Sequence, residues 1–533
     1  AMRWDVIGLV IGWTLRIFAI PLAVVGAYSL YVDGWEYALQ TYAIALVIAF
    51  GASQWLFAKA SSYDVGSRVR DREAFAAVAL GWPPVVLLGA IPFWLGGMFY
   101  GPIEFMEGDA SFMQMMSGAL HSWFESMSGF TTTGASLIDT STSPVCSGEF
   151  DGDCVASQTK SLLLWRSLSQ WIGGMGVIML GLLIFSKALG GGMALARAEL
   201  TGPTVSNLST TLEGTARKLW AIYIILTILE GLILYQFTEM GSFDALNYAL
   251  TTMPSGGFAT SDMGVMAYSN TEIYSTGQGA LIESIIMVFM LLTCINFSLL
   301  YFAILGRWGE VWKDEELRTY LLILFVAWLA MAFNLSRATD YSLAESIRHS
   351  LFQSISISST GYSSANFSEW PVFSQFVLLL LMIIGASAGS TGGGLKVLRI
   401  RIAFELAKRE VIRIIQPKKV IAIRFNENVV DESRIWIILG MVSSWMVLVT
   451  ASMLTISFLE PNLSLTDVSS VSISLLGNTG PALGSFGPAD AASTWADLSP
   501  LSMFASTILM WLGRLELLTV LVLLHPRTWA GSN

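Results

Sequence analysis

Ten apolar segments, each close to the length that a helix needs to cross a bilayer, constrain this chain more than any other feature. A transmembrane helix takes about 20 mostly apolar residues. The 533-residue chain is only 13% charged, whereas soluble proteins carry about 25% charged residues. We therefore predict an all-α integral membrane protein with spans near 6–30, 37–58, 74–98, 161–186, 218–238, 280–305, 318–336, 374–395, 434–459 and 500–524.

The distribution of basic residues predicts how these spans are oriented. If the N-terminus is inside, most of the 29 lysines and arginines fall on the inner side, with the densest group between 396 and 434. Cytoplasmic loops of membrane proteins carry an excess of Lys and Arg. Both termini are therefore predicted to be cytoplasmic, in a multi-pass protein of a cell membrane.

Four connections on the outer side share an unusual pattern, a short apolar stretch followed by a glycine-rich turn. Ordinary surface loops would leave their Phe, Leu and Met residues with nothing to pack against. We interpret each as a half-helix that enters the membrane and returns, in four internal repeats around one pseudo-fourfold pore. The predicted units are 1–73 for two leading helices and 74–197, 198–317, 318–420 and 421–533 for the repeats.

The four turns, TTTGA, SGGFA, STGYS and NTGPA, suit a cation. Glycine tolerates positive φ, so successive carbonyl groups can face one axis. Rings of carbonyl oxygens replace the hydration shell of K⁺ in potassium channels, and the C-terminal end of each half-helix adds partial negative charge. The predicted K⁺ ligands are the backbone carbonyls of Thr132, Thr133, Gly134, Gly256, Gly257, Thr360, Gly361, Thr479 and Gly480.

Ionisable residues near the turns leave alternatives open. Glu125 and Asp262 could attract cations at the pore mouth or hold the half-helices in place. His121 and His349 lie on half-helices without further ligands at metal-binding spacing, so they are interpreted as packing or hydrogen-bonding residues.

The three cysteines fall into two groups. Cys146 and Cys154 flank a polar, acidic stretch that the predicted topology puts outside, so they are a disulfide candidate. Cys294 stands alone in an apolar segment, where packing is the expected role.

Four segments resemble signatures of the Trk/Ktr/HKT superfamily of potassium transporters, in particular its TrkH type. In chain order they read FESMSGFTTTGAS, LLLWRSLSQWIGGMGVIML, GASAGSTGGGLKVLRIR and WLGRLELLTVLVLL. The resemblance covers almost the whole chain and includes the two leading spans. The stretch 140–158 is longer than the family pattern suggests.

The resemblance implies potassium uptake, with K⁺ as the transported ion. In the plant branch, a serine in place of the first filter glycine goes with sodium transport, and all four positions are glycine here. The family forms homodimers on a cytosolic ring of nucleotide-binding regulatory subunits of the TrkA type. This chain has no G-x-G-x-x-G segment between a strand and a helix, so it is not expected to bind nucleotide itself.

The resemblance also implies a gate beneath the filter, in a glycine-rich interruption of the eighth span. A merely kinked helix is the alternative, although a helix through so many glycines would cost about 1 kcal/mol for each relative to alanine. The predicted gating residues are Gly385, Ala386, Ser387, Ala388, Gly389, Ser390, Thr391, Gly392, Gly393, Gly394 and Arg514. Glu230 and Glu283 are expected to partner Arg514 or the loop backbone.

Two other functions are alternatives to potassium uptake. A poorly selective Na⁺/K⁺ pathway would share the same architecture. An intramembrane enzyme would need a nucleophile with its base or a metal-binding set such as H-E-x-x-H within a span, and no such set is present in the sequence.

Overall fold

A computed structural model of the chain describes residues 3–60, 71–148, 150, 152–176, 212–419, 421–426, 428–488, 494–515 and 525–526. These residues are predominantly helical, which confirms the predicted all-α membrane class. The one sheet among them is a hairpin of two-residue strands, β1 (Arg424–Phe425) and β2 (Asn428–Val429).

Two long helices lead the chain and pack against the first repeat. They are α1 (Trp4–Val32) and α2 (Trp35–Lys59), the latter with one π-helical turn at Leu39–Ala43. Gly26 of α1 faces the Tyr42 side chain, and a Cβ at this position would press against the Cβ of Tyr42. The small residue therefore lets the two helices approach closely.

Each repeat contains a short helix between two apolar helices. The first repeat has α3 (Asp71–Leu95), α4 (Pro102–Glu107), α5 (Phe112–Phe130) and α6 (Lys160–Met175). The second has α7 (Leu212–Phe237), α8 (Ser242–Thr252), α9 (Gln278–Cys294), α10 (Phe297–Ile304) and α11 (Trp308–Lys313). The third has α12 (Glu315–Ala338), α13 (Leu343–Ile357), α14 (Val372–Ile384) and α15 (Val397–Ile415), and the fourth has α16 (Glu432–Leu459), α17 (Leu465–Gly477) and α18 (Pro500–Arg514). We call α5, α8, α13 and α17 the pore helices.

Within the described residues, six helices are long and apolar enough to cross a membrane, and a bent pair makes a seventh. Many large apolar side chains on them are exposed, for example Val447, Leu454 and Phe458 on α16. Such a surface suits lipid, where no water is available to penalise it. The predicted spans 161–186 and 500–524 begin as α6 and α18, and their ends at 177–186 and 516–524 lie outside the described residues.

The predicted span 280–305 is not one continuous helix, and that prediction was wrong in this respect. It breaks into α9 and α10, which meet at an angle of 107°. Ile295 is extended at the break, and the Asn296 side chain caps α10 by accepting a hydrogen bond from the Ser298 N–H at 2.9 Å. An N-cap residue replaces the missing helical partner of that N–H group.

Candidate ion pathway

Three of the four pore helices begin at serines that satisfy their first backbone N–H groups, whereas α8 begins after Gly241 without a side-chain cap. Ser111, Ser342 and Ser464 each form a capping box, in which the serine hydroxyl and the side chain three residues later exchange hydrogen bonds with the backbone. Two otherwise orphaned donors are thereby paired at each start. These caps stabilise the starts of α5, α13 and α17, the short helices that lead into the first, third and fourth turns.

The turn after each pore helix folds back onto the last helical turn. In the first repeat the Thr133 N–H donates to the Ser128 carbonyl at 2.9 Å, and the fourth repeat has the equivalent bond from Thr479 to Ser474 at 3.0 Å. The second repeat has the bond from Gly256 to Thr251 at 2.9 Å. The third repeat is shifted by one residue, since there the glycine itself donates, from Gly361 to Ser356 at 2.8 Å.

The four central glycines all have positive φ, with values of 86° at Gly134, 82° at Gly257, 86° at Gly361 and 97° at Gly480. L-residues with a side chain rarely adopt this conformation. The requirement for glycine at the turns therefore has a backbone cause, independent of any neighbour.

The four turns close into a ring. A Cβ added to each glycine would overlap the carbonyl oxygen of the residue that precedes the glycine in the next repeat. The four pairs of glycine and carbonyl are Gly134 with Gly256, Gly257 with Thr360, Gly361 with Thr479, and Gly480 with Thr133. Each repeat thus contacts the next, and the fourth contacts the first. We call the carbonyls of Thr133, Gly256, Thr360 and Thr479 the carbonyl ring.

The structure assigns Glu125 a holding role and excludes it from an exposed mouth, because its side chain is completely buried. One carboxylate oxygen accepts from Arg166 Nε at 2.6 Å, and the other accepts from the Leu137 N–H at 2.9 Å. Arg166 also donates to the Ala259 carbonyl at 2.8 Å and lies 3.6 Å from the centre of the Phe258 ring. The ion pair therefore joins the segments that leave the first and second turns.

Gln170 is a residue of this site that the sequence analysis missed. It is buried on α6, and its Nε2 donates to the Gly256 carbonyl at 2.7 Å. Its Oε1 accepts from the Phe258 N–H at 3.2 Å. The signal that could have found it is the second turn itself, where glycine stands in place of the threonine of the other three.

Asp262 joins the second turn to the external stretch 140–158. Its carboxylate accepts from the N–H groups of Cys154 and Val155 at 2.6 and 3.1 Å, while the Asp153 carboxylate accepts from the Asp262 N–H at 3.0 Å. Burial, and then the neighbouring Asp153 charge, raise the pKa of Asp262 to about 6. Cys146 and Cys154 form a disulfide with a Cα–Cα distance of 5.5 Å. The long external stretch is thus closed on itself and attached next to the turns.

The glycine-rich interruption leaves the helical conformation directly after α14. Gly385, Gly389 and Gly394 have φ of 70°, 72° and 80°, so the segment is a loop and not a kinked helix. Its ten residues run from Gly385 to Gly394 and lead through Lys396 into α15. We call 385–394 the intramembrane loop.

The intramembrane loop fills the break between α9 and α10. The Ser387 N–H donates to the Cys294 carbonyl at 3.1 Å, and the Thr391 N–H donates to the Thr293 carbonyl at 3.3 Å. In the opposite direction, the Phe297 N–H donates to the Gly389 carbonyl at 3.1 Å. Backbone groups that a continuous helix would have paired internally are therefore paired by the loop.

Thr391 brings the loop against the second turn, and Arg514 holds it there. The Thr391 hydroxyl lies 3.0 Å from the Ser255 hydroxyl, and the Thr391 carbonyl accepts from Arg514 at 3.1 Å. Arg514 also donates to the carbonyls of Gly173 and Gly174 at 2.7 and 2.6 Å, at the C-terminal end of α6. A cation there is favoured by the partial negative charge of a helix C-terminus.

The expected partners of Arg514 need correction. Glu283 instead forms an ion pair with Arg348, with distances of 2.7 Å for both of its oxygens. Neither oxygen of the buried Glu230 side chain has a hydrogen-bond partner among the described residues. The carboxylate that does hold the loop is Glu316 on α12, which accepts from the N–H groups of Ala388 and Leu398 at 2.7 and 3.0 Å. The sequence analysis did not single it out.

The two pore-helix histidines pack against aromatic rings. His121 stacks edge-on against Phe99 with 5.7 Å between ring centres, and His349 lies 5.5 Å from the Tyr341 ring. Across the described residues, no group of three or more His, Cys, Asp or Glu side chains has the arrangement of a metal site.

Comparison with known proteins supports a transport role for this architecture. The profile of the TrkH family, described as a cation transport protein, matches residues 43–529. The chain is 31% identical to the Trk system potassium uptake protein TrkH of Halomonas elongata, with 98% of each chain covered. It is 30% identical to the protein of the same name from Escherichia coli, covering 99% of this chain and all of the relative.

A solved structure gives the same result. The crystal structure of the potassium transporter TrkH from Vibrio parahaemolyticus superimposes with a TM-score of 0.79 at 26% identity, covering 99% of this chain and all of that one. The fold, the family profile and the full-length relatives agree on a membrane transporter and not an enzyme. The chain belongs to the TrkH family of cation transport proteins.

Proposed function

We propose that this protein carries out potassium uptake across the bacterial inner membrane, with the carbonyl ring as its selectivity filter. The observation that carries the proposal is the closed contact of the four glycine turns. A dehydrated alkali cation loses hydration worth tens of kcal/mol, so it needs oxygen ligands from all sides. Four carbonyls from four repeats of one chain provide such ligands. The relatives named above are themselves potassium uptake proteins.

The remaining predicted filter residues extend the same pathway. Thr132 precedes the ring residue Thr133, and Gly257 follows the ring residue Gly256; both have positive φ, 53° and 82°. In this proposal their carbonyls form further levels of the filter. The pore-helix C-termini next to the turns favour a cation by their partial negative charge.

We further propose that the intramembrane loop and Arg514 form the gate. The loop contacts the second turn through Thr391, and its glycines can change φ and ψ without steric penalty. In this proposal the protein is a homodimer that rests on a cytosolic ring of the TrkA type. That ring binds the nucleotide and supplies the force that moves the loop. Both termini are cytoplasmic in this proposal.

Flux into liposomes tests the filter. Purified protein should take up radioactive rubidium, a K⁺ substitute, and excess external K⁺ should suppress the uptake far more than excess Na⁺. Gly134→Ser should raise Na⁺ permeation relative to K⁺, because a side chain at φ 86° overlaps the Gly256 carbonyl and displaces it. Equal suppression by the two ions in the parent would favour a poorly selective pathway, and unchanged discrimination in the serine variant would exclude Gly134 from the filter.

A further inference from the structure

The carbonyl ring is asymmetric in its residue types. Three of its members are threonines, Thr133, Thr360 and Thr479, whereas the second repeat contributes Gly256. A Cβ added to Gly256 would overlap the carboxamide of Gln170. The Gln170 side chain therefore occupies the space next to the second segment that a threonine side chain would otherwise need.

The orientation of this carboxamide is fixed by its two partners. The Phe258 N–H can only donate, so the atom 3.2 Å from it must be the carbonyl oxygen of Gln170. The amide nitrogen then faces the Gly256 carbonyl at 2.7 Å, where it acts as the donor. Because Gln170 is completely buried on a helix, the Gly256 carbonyl is attached to a rigid element.

The other three ring carbonyls lack such an attachment. Among the described residues, no donor reaches the carbonyl oxygens of Thr133, Thr360 or Thr479. Gly256, without a side chain, would otherwise be the least restrained peptide of the four. One buried hydrogen bond thus restrains the position that would move most easily.

Arg166, one helical turn before Gln170, restrains the same segment further along. Its guanidinium donates to the Ala259 carbonyl at 2.8 Å and covers the Phe258 ring. Residues four apart lie on one face of a helix. A single face of α6 therefore holds the second segment at three backbone positions, the Gly256 carbonyl, the Phe258 N–H and the Ala259 carbonyl.

We propose that Gln170 is a specificity-determining residue, which prevents the carbonyl ring from contracting around an ion smaller than K⁺. The inference rests on the proposed function of the ring. Na⁺ binds tightly only if the oxygens move inward from their positions around K⁺, since size and the flexibility of the carbonyls both enter selectivity. The Gly256 carbonyl, held by its hydrogen bond to Gln170, resists that movement. The Gln170 carboxamide, packed beside Gly256, also prevents rotation of the Gly256 peptide.

The test is Gln170→Met, which keeps the length of the side chain and removes its donor and acceptor. A side-chain hydrogen bond contributes about 1 kcal/mol, so Na⁺ permeation relative to K⁺ should rise roughly three- to tenfold in liposome flux. The matched control is Gln375→Met, because Gln375 on α14 also donates to two backbone carbonyls, those of Ser368 and Trp370 at 2.7 and 2.8 Å, away from the ring. It should leave the ratio unchanged.

A second pair of variants tests the exchange of side chains. Gly256→Thr alone should impair flux, because the threonine meets the Gln170 carboxamide. The double variant Gln170→Ala with Gly256→Thr removes the carboxamide and places in its space the threonine that the other repeats have. Its selectivity should be closer to that of the parent than the selectivity of Gln170→Ala or Gly256→Thr alone. Additive losses would overturn the proposed exchange. If the Met variant does not purify as the parent does, Gln170→Leu also removes the donor without adding a charge, and it should shift the ratio in the same direction.

The outcomes separate this inference from the proposed function. If the parent discriminates K⁺ from Na⁺ and Gly134→Ser reduces that discrimination, the filter is supported. An unchanged ratio in Gln170→Met, measured beside them, would then overturn the role of Gln170 alone. If the parent itself does not discriminate, the proposed filter fails first.

Discussion

Replacing Glu125 by glutamine should weaken the segments that follow the first two turns. The glutamate accepts from Arg166, from Ser136 Oγ at 2.9 Å and from the Leu137 N–H. A glutamine has one oxygen and must direct its NH₂ group at one of these donors. It also leaves the Arg166 charge without its counter-ion in a buried place, since the side chains of Arg166 and Glu125 are only 4% and 0% exposed.

The magnitude follows from that burial. Removing one partner of a buried ion pair costs about 3–5 kcal/mol. Since Arg166 keeps the Ala259 carbonyl and the Phe258 ring as partners, we expect the lower end, about 3 kcal/mol, or roughly a hundredfold shift towards a distorted filter. Rubidium uptake into liposomes should fall, and the purified variant should lose its native size-exclusion peak at a lower temperature.

The double variant Glu125→Gln with Arg166→Met provides the control. Because it removes the unpaired charge, it should be no less stable than Glu125→Gln alone, which makes the two effects strongly non-additive. Additive effects would refute a pairing role. A variant with unchanged stability whose uptake falls only at low K⁺ and low ionic strength would instead indicate that Glu125 attracts cations at the mouth.

Three further predictions concern the external stretch and the loop. Cys146 and Cys154 should be joined when the protein is made in cells with an oxidising periplasm, and peptide mass spectrometry finding both as free thiols would contradict this. The folded pKa of Asp262, about 6, exceeds the ordinary value of 3.8, so attachment of the external stretch should be strongest below about pH 4 and weaken as pH rises through 6. Reduction of the disulfide by a phosphine should accordingly accelerate between pH 5 and 7, with a flatter profile in Asp262→Asn. Shortening 386–393 should give a dimer that conducts without partner or nucleotide, whereas flux as low and as partner-dependent as the parent's would exclude the loop as the gate.

The sequence predicted those features that depend on the surrounding solvent or on local backbone conformation. The long helices could be identified from the length of their apolar segments, because a helix must be that long to cross the lipid. The glycines at 134, 257, 361 and 480 marked positions of positive φ. The break at Gly385 was predictable for the same reason, since repeated glycines destabilise a helix.

Contacts between distant segments were not predictable in this way. Gln170 meets Gly256 across 86 residues, and Arg514 reaches Gly173 across 341. Neither residue repeats at a spacing that indicates its partner. The break at Ile295 was missed because that segment is apolar and has neither glycine nor proline there, and the loop that compensates for it comes from the next repeat.

The break between α9 and α10 restricts how the intramembrane loop can leave its place. Three backbone hydrogen bonds join the loop to this break, so departure of the loop would leave the Thr293 and Cys294 carbonyls and the Phe297 N–H unsatisfied. Unpaired backbone groups are not tolerated within a bilayer unless protein or water reaches them. Displacement of the loop must therefore coincide with wetting of this site, or with α9 and α10 rejoining into one straight helix. A spectroscopic probe of hydration beside Ile295 would report the same event as a probe on the loop itself.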